Sequence, residues 1–433
     1  MGVSRRWALG TLATGAVASL AGCAAPVWQG FGFDAVRPAA DDELLVTLWG
    51  TAAERRAFTA LADGFRARTG VAVRLQAVPF SRRGTTVDTG IRAGAPPDVF
   101  RVTYNDVGLY RDAGVLAPLP DAAALRPAFA EQFWAAVSDP TGAAYAVPHH
   151  TDTTMLLVDT AAAQAAGLGP LPADPEGAWD WDRFVDACRR LAALRPGRAA
   201  TAVNWQSDGA YRWLNWVDQA DGRLLTPTLD GALRPPDAGL RAALDLTRRL
   251  FAEGLVPRST STSGGVTTDE LFTAGTVATA FVANFSLGDL EGAPAWTAVP
   301  LPRAARASAD LGGNALAATA GPRTEQAHAF LRWCVTPENM AAFCSAASAL
   351  PTRTDVPAAA LRYPTAPDAM ARYVAQAATV RRPLVEQVTV PRAAAVTAEL
   401  GDGLERAFLG DPATPTADLA EAIAGSVDRA VRR

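Results

Sequence analysis

The sequence predicts an α/β fold in two lobes joined by crossing strands. Three observations carry that prediction. Two regions alternate strand-like and helix-like patterns, proline-marked extended pieces lie around Pro148 and at Pro300–Pro302, and polar-aromatic clusters recur where strands end. At 433 residues the chain can build two or three domains with proper cores. Apolar residues make up 49% and charged ones 19%, a globular composition, and a formal charge of −4 without any basic run argues against nucleic acid. No lysine occurs; beyond the three histidines, every basic side chain is arginine.

Residues 1–22 read as an export segment. Arg5-Arg6 precede a short apolar stretch from Trp7 to Leu20, too short to span a bilayer comfortably. Leu20-Ala21-Gly22-Cys23 resembles a lipobox, with Cys23 as the lipidated first residue of the mature chain, and Ser4-Arg5-Arg6 resembles a twin-arginine signal in which Ala8 and Gly10 depart from the usual Phe and Lys. Removing the two arginines takes the formal charge from −4 to −6. Residues 23–42, rich in proline and glycine without a period, read as a tether. Of the remaining cysteines, Cys188 continues the apolar face of Trp181, Phe184 and Val185. Cys334 and Cys344, on consecutive predicted helices, are near enough in sequence to meet as a disulfide.

The first lobe begins with Leu44–Trp49, a β-favouring run ending at Gly50-Thr51. Glu54–Thr69 carries Phe58, Leu61 and Phe65 on one helical face, with Gly70 as its C-cap. Val71, Val73 and Leu75 alternate as a strand, so the unit is a parallel crossover. After Gly94-Ala95-Pro96-Pro97 comes the buried strand Asp98–Val102, ending at Tyr104-Asn105-Asp106. Ligands of open parallel sheets bind beyond the carboxyl ends of strands, which marks Trp49, Asn105 and Asp106. Trp49 reads equally as a core aromatic, and Asp106 as a helix cap.

Tyr145–Leu157 (YAVPHHTDTTMLL) is the first crossing. Pro148 lacks an N–H and biases Val147 to extended geometry, so a parallel strand is not expected to run straight through. His149 and His150 are adjacent, and in extended chain their side chains diverge, making a poor metal pair. Asp180 is placed to cap a helix reaching about Leu194. Trp213 and Trp216, at i and i+3, read as core, whereas Trp205, among Asn204, Gln206, Ser207 and Asp208, reads as an exposed stacking surface or a packed tryptophan. Val277–Val282 ends at Asn284-Phe285, and Ala298–Pro302 is the candidate return crossing. Asn314 opens an alanine-rich strand, and Thr336-Pro337-Glu338 starts another helix.

No GxSxG, HExxH, P-loop or dinucleotide fingerprint is present, and nothing calls for a cofactor or a metal. The six tyrosines include no adjacent pair, as an iron binder would want. Acid pairs for glycoside chemistry are too numerous among 44 acids for one to be selected.

Several stretches together resemble the extracellular solute-binding protein family 1, the sugar-binding lipoproteins of bacterial ABC importers. They are Gly94–Val99, Ala113–Leu119, Gly142–Pro148, Trp179–Leu191, Phe272–Ala278, Gly312–Ala317, Ala329–Glu338 and Leu350–Arg353, in that order behind the lipobox. Leu157-Val158-Asp159-Thr160 stands where the family usually has Tyr-Asn-Lys-Asp. The resemblance implies a periplasmic-binding-protein-like fold, with a first lobe of residues 43–148 plus 305–350 and a second of 149–304 plus 351–433. It also implies a monomer that is not an enzyme, captures a small solute, expected to be a carbohydrate, and hands it to a permease while held to the membrane by its lipid. A non-sugar solute, or an exported glycoside-active enzyme, is the alternative. The residues expected to line the cleft are Trp49, Asn105, Asp106, His150, Asp152, Trp205, Asn284, Phe285 and Asn314, with Asp152 accepting hydroxyl hydrogen bonds and Trp205 stacking on a sugar face.

Overall fold

The computed structural model describes residues 43–432; the expected export segment, Cys23 and the tether lie outside the described residues. The chain opens with β1 (Glu43–Leu48) and α1 (Ala52–Thr69). Thr51 and Glu54 form a capping box at the start of α1, satisfying amide donors that the first turn leaves orphaned. Gly70 ends the helix at φ 79°, a conformation that costs glycine little. Phe58, Leu61 and Phe65 are buried on one face, the 3.6-residue stripe that seats the helix on its sheet. β2 (Ala72–Ala77), α2 (Arg83–Arg92), β3 (Val99–Thr103), α3 (Tyr104–Asp112) and β4 (Ala146–His150) follow.

Beyond β4 the chain changes sheet. β5 (Thr154–Asp159) begins four residues after β4 ends, and α4 (Trp181–Leu194), β6 (Thr201–Ala202), α5 (Ala238–Ala252), β7 (Thr279–Ala283) and β8 (Trp296–Val299) follow it. Asp180 caps α4 by accepting from the Arg183 amide at 2.7 Å. β9 (Asn314–Ala318) then returns to the first sheet, with α6 (Thr324–Cys334) and α7 (Pro337–Ala347) packed beneath it. Helices α8 (Pro367–Ala377), α9 (Arg382–Val388), α10 (Ala393–Leu409) and α11 (Thr416–Arg432) complete the chain.

Two separate sheets result. One has the order β2-β1-β3-β9-β4 and the other β6-β7-β5-β8. In the first, β1, β2, β3 and β4 run in one direction and β9 runs against them, with β4 leading into the first crossing and β9 returning from the second. The second is built alike: β6 and β7 are parallel, and β5 and β8 carry the crossings. A third connection leaves α7 through Leu350, which exchanges both backbone hydrogen bonds with Thr151, 2.8 and 3.0 Å. All three therefore meet beside Thr151.

Three expectations are corrected here. Pro148 does not stop its strand, because β4 lies at the sheet edge, where a missing N–H breaks no ladder bond. The polar pause comes instead at Thr151–Thr153. The register of β4 against β9 shifts between Pro148 and His150, and this bulge defeats the alternation that should separate the histidine rings. Their Nδ1 atoms sit 3.1 Å apart. Cys334 and Cys344 are both free and buried in the first lobe, so they form no disulfide.

Candidate functional site

The carboxyl ends of β1, β2 and β3 face those of β6 and β7 across the crossings, so a cleft opens where open sheets take ligands. On the first-lobe side the organising residue is Arg101, the only charge in an apolar strand. Its side chain is 3% exposed, and it donates to the Trp49 carbonyl at 2.5 Å and to Glu54 Oε1 at 2.6 Å. His150 Nε2 lies 2.9 Å from the same guanidinium, and the Asn314 amide lies 3.2 Å from that ring nitrogen. Burial, reinforced by Arg101, holds His150 well below the usual histidine range; His149, between Phe58 and Phe343, is held low by burial and by its neighbour His150. Two neutral rings and a paired guanidinium thus form a rigid block behind Trp49.

Trp49 is packed edge-on against Phe80 at 5.8 Å, and Phe80 is 50% exposed. Arg83 lies over the Phe80 ring at 3.9 Å, close to Asp106 (3.9 Å) on its own lobe and Asp208 (3.6 Å) on the other. A second tie crosses nearby: Asn105 Nδ2 donates to the Val388 carbonyl at 2.8 Å. Val388 belongs to the second lobe because Gln387 Oε1 accepts from the Leu224 and Leu225 amides at 2.7 and 3.0 Å. Gly108, one turn along α3, lies so close to Pro391 and the Thr389 carbonyl that a Cβ would meet them at 3.1 and 3.2 Å. The lobes are closed upon each other along this edge.

The crossings form the floor. Asp310 accepts from the Thr154 amide (3.1 Å) and hydroxyl (3.0 Å) and pairs with Arg212 of the second lobe at 3.3 Å. Asn204 Nδ2 donates to the same Thr154 hydroxyl at 2.8 Å. Asp152 stands between the lobes on the first crossing, and Gly312 of the return crossing passes so near its carboxylate that any Cβ there would collide with it. Unlike Asp310, the Asp152 carboxylate receives no hydrogen bond among the described residues. Desolvation raises its pKa to about 6, more than Arg212 and Arg101 together lower it. Tyr211, whose pKa burial pushes up to about 12, and buried Tyr104 both feel its charge.

The structure sorts the nine candidate residues. Trp49, Asp106 and Asp152 come together around this cleft. Phe285 follows β7 and is 46% exposed. His150 and Asn314 lie one layer behind, in the Arg101 block. Asn105 is engaged in the tie to Val388, and Asn284 clips the crossing: it accepts from the Thr153 amide at 2.9 Å and donates to the Ser348 carbonyl at 2.7 Å. Trp205 is 2% exposed, packed against Trp216 and Phe408 with centroids 6.1 and 5.5 Å away, and presents no stacking face. Phe80, Arg83, Arg101, Tyr211, Arg212 and Asp310 were not foreseen. The strand-end rule that marked Trp49 also marks Phe80, just past the end of β2, and an arginine inside Val99–Val102 was itself a signal.

Two surface hollows of about 560 and 620 Å³ lie on the second lobe; the first, lined by Gly197, Arg198 and Thr276, sits at the amino ends of β6 and β7, away from this cleft. Among the described residues, no group of side chains could hold a metal ion, and no helix is long and apolar enough to cross a membrane.

Known proteins place the fold. A putative oligosaccharide periplasmic-binding protein from Synechococcus sp. MITs9220, solved with zinc, is 20% identical; the match covers 90% of this chain and 98% of that one at a TM-score of 0.75. The cyclic α-maltosyl-1,6-maltose binding protein of Arthrobacter globiformis is 19% identical over 92% of this chain and 100% of that one, TM-score 0.73. The GacH receptor of Streptomyces glaucescens GLA.O, solved unliganded and with acarbose, is 19% identical over 90% and 99%, TM-score 0.71. No curated protein matches in sequence. The family profile described as bacterial extracellular solute-binding protein matches residues 60–377, most of the chain. With two crossed α/β lobes closed over a polar-aromatic cleft, the chain belongs to the bacterial extracellular solute-binding proteins.

Proposed function

We propose that this protein is the lipid-anchored substrate-binding component of an ABC importer, capturing a carbohydrate as its lobes close and presenting it to the permease. The observation that carries this reading is the architecture: two α/β lobes joined by three crossings, with the half-buried Asp152 carboxylate on the first crossing between them. Sugar hydroxyls are donors of the required kind, and hydrogen bonds to charged partners contribute about 1.5–3 kcal/mol each. Phe80, half exposed and backed by the buried Trp49, and the half-buried Tyr211 supply aromatic surface for the apolar C–H faces of a pyranose. Solved proteins of the same fold, such as the Arthrobacter globiformis protein, are named for oligosaccharides, which supports the class.

In this reading the molecule works as a monomer without cofactor or metal, and binding, not turnover, is its task. Export by the Arg5-Arg6 segment, which resembles a twin-arginine signal apart from Ala8 and Gly10, and acylation of Cys23 would hold it at the outer face of the membrane, since several acyl chains anchor stably where one is marginal. Cys23→Ser protein is then released or left unprocessed. A thermal-shift screen of the chain without its export segment against mono- to tetrasaccharides and polyols, followed by titration calorimetry, tests the ligand class. At least one sugar should raise the melting temperature; stabilisation only by non-carbohydrate solutes would reject the reading.

A further inference from the structure

The two mouths of the cleft are built differently. In β3, Phe100 packs on Tyr110 of α3, while Arg101 reaches Glu54 and Phe58 of α1. Neighbouring strand residues point to opposite faces, so α3 and α1 flank opposite faces of the first sheet. On the α3 side the second lobe comes down onto the first. Asn105, the second residue of α3 and so just past the end of β3, gives its amide to the Val388 carbonyl at 2.8 Å. One turn on, Pro391 and the Thr389 carbonyl press against Gly108, where a Cβ would meet them at 3.1 and 3.2 Å. Val107, Val388 and Val390 are buried along this seam, and α10 packs on α3 behind them. Further back, α9 packs on the short helix Glu131–Ala135, and Arg382 lies 3.3 Å from Glu131. The closest approach is backbone to backbone, so no side-chain rotation opens it. On the α1 side the rim is accessible: Thr51 and Arg55 are exposed. Phe285 of the second lobe stands on that side too, because its neighbour Asn284 donates to Ser348 at the end of α7, which packs on α1; its ring is 46% exposed.

Resting on the carbohydrate reading above, we propose that the cleft is a blind groove, shut at α3 and entered from the α1 side, that takes a short linear sugar by one of its ends. A chain running through both mouths would have to break the Asn105–Val388 hydrogen bond and lift residues 388–391 off Gly108, bringing three buried valines into contact with water or sugar hydroxyls. A terminal sugar residue meets the seam without disturbing it. A ring of sugars has no terminus to offer and is excluded by the same wall. Length selection therefore belongs to Asn105, Gly108 and the 388–391 segment, while Phe80 and Tyr211 serve the sugar's apolar faces.

Probes that differ in length and closure test this: glucose, galactose, mannose and xylose; the linear series maltose to maltohexaose, cellobiose to cellohexaose and xylobiose to xylohexaose; and α-cyclodextrin, the ring counterpart of maltohexaose. Each is titrated calorimetrically against the protein. The tightest binder is expected to be a mono- or disaccharide, with longer members of its series gaining no more than about two-fold and α-cyclodextrin not binding. Two variants loosen the seam: Gly108→Val pushes residues 388–391 off α3, and Asn105→Ala removes the hydrogen bond without adding bulk. Melting and circular dichroism on both separate altered selectivity from lost folding, and Asn105→Ala carries the test where Gly108→Val does not fold. In the tightest-binding series the tetrasaccharide should gain on the disaccharide, by about ten-fold in Gly108→Val and by less in Asn105→Ala. A larger gain on lengthening in the wild type, binding of α-cyclodextrin, or a length profile unchanged in the folded variants would overturn the blind groove while leaving carbohydrate capture standing. Failure of every sugar probe would overturn both.

Discussion

Arg101 and Asp152 are charges of opposite sign and opposite treatment: the first is buried, the second half-buried on a crossing between the lobes. Arg101 is surrounded: a carbonyl, a carboxylate and a ring nitrogen converge on it, and the protein has built a complete answer. Asp152 is exposed to nothing that donates. The difference teaches how to separate scaffold from site. A buried charge whose partners are all internal maintains the fold, whereas a half-buried carboxylate on a crossing between two lobes stays open to solvent or a ligand.

Removing the answered charge should have the largest effect. Arg101→Met strands Glu54 and opens a void behind Trp49, so urea denaturation should show a loss of about 3–5 kcal/mol, as when one partner of a buried pair is deleted. A loss below about 1 kcal/mol would mean the block is not structural. Asp152→Asn should do the reverse. Stability at pH 7 should hold or rise, because a desolvated charge is removed, while sugar affinity falls by about 1–3 kcal/mol.

The pH dependence sharpens the contrast. The folded pKa of Asp152, about 6, lies above its ordinary 3.8, so its proton is held more tightly in the folded state. Its contribution is therefore fully favourable below about pH 4 and is lost as pH rises through 6. Urea denaturation between pH 4 and 7 should accordingly show a flatter profile for Asp152→Asn than for wild type. Identical slopes would place the wild-type dependence elsewhere.

The smallest effect is expected at the rim. Arg83 meets Asp208 across the lobes, but Asp208 is largely exposed, 79% at the side chain, and such pairs contribute less than about 1 kcal/mol. Arg83→Ala should weaken sugar binding less than ten-fold, and the difference should fade in 1 M salt. An effect as large as that of Asp152→Asn would make the rim, not the floor, the main determinant.

Much of the fold was legible because its signals are local. Gly70, Asp180 and Thr336-Pro337 act within a turn of where they stand, and the strand and helix periods of the two lobes need no distant partner to be read. Pro148 was misread because its tolerance depends on β4 being an edge strand, which only the sheet order decides. The site was legible only where position sufficed: Trp49 at a strand end and Asp152 on a crossing. Trp205 looked exposed among polar neighbours, yet Phe408, some two hundred residues later, covers it. Asn105 looked available, yet its amide is taken by Val388. Arg212 could not be chosen from forty arginines until Asp310 stood beside it.

The central claim is that ligand donors meet the Asp152 carboxylate. Proton exchange on binding tests it most directly, by titrating the tightest sugar near pH 6 in two buffers of different ionisation enthalpy. The unliganded carboxyl is about half protonated there, and donors that favour its charged form must displace that proton. The account predicts release of about half a proton per sugar bound, abolished in Asp152→Asn; binding with no proton exchange, or with release unchanged in the variant, would contradict it.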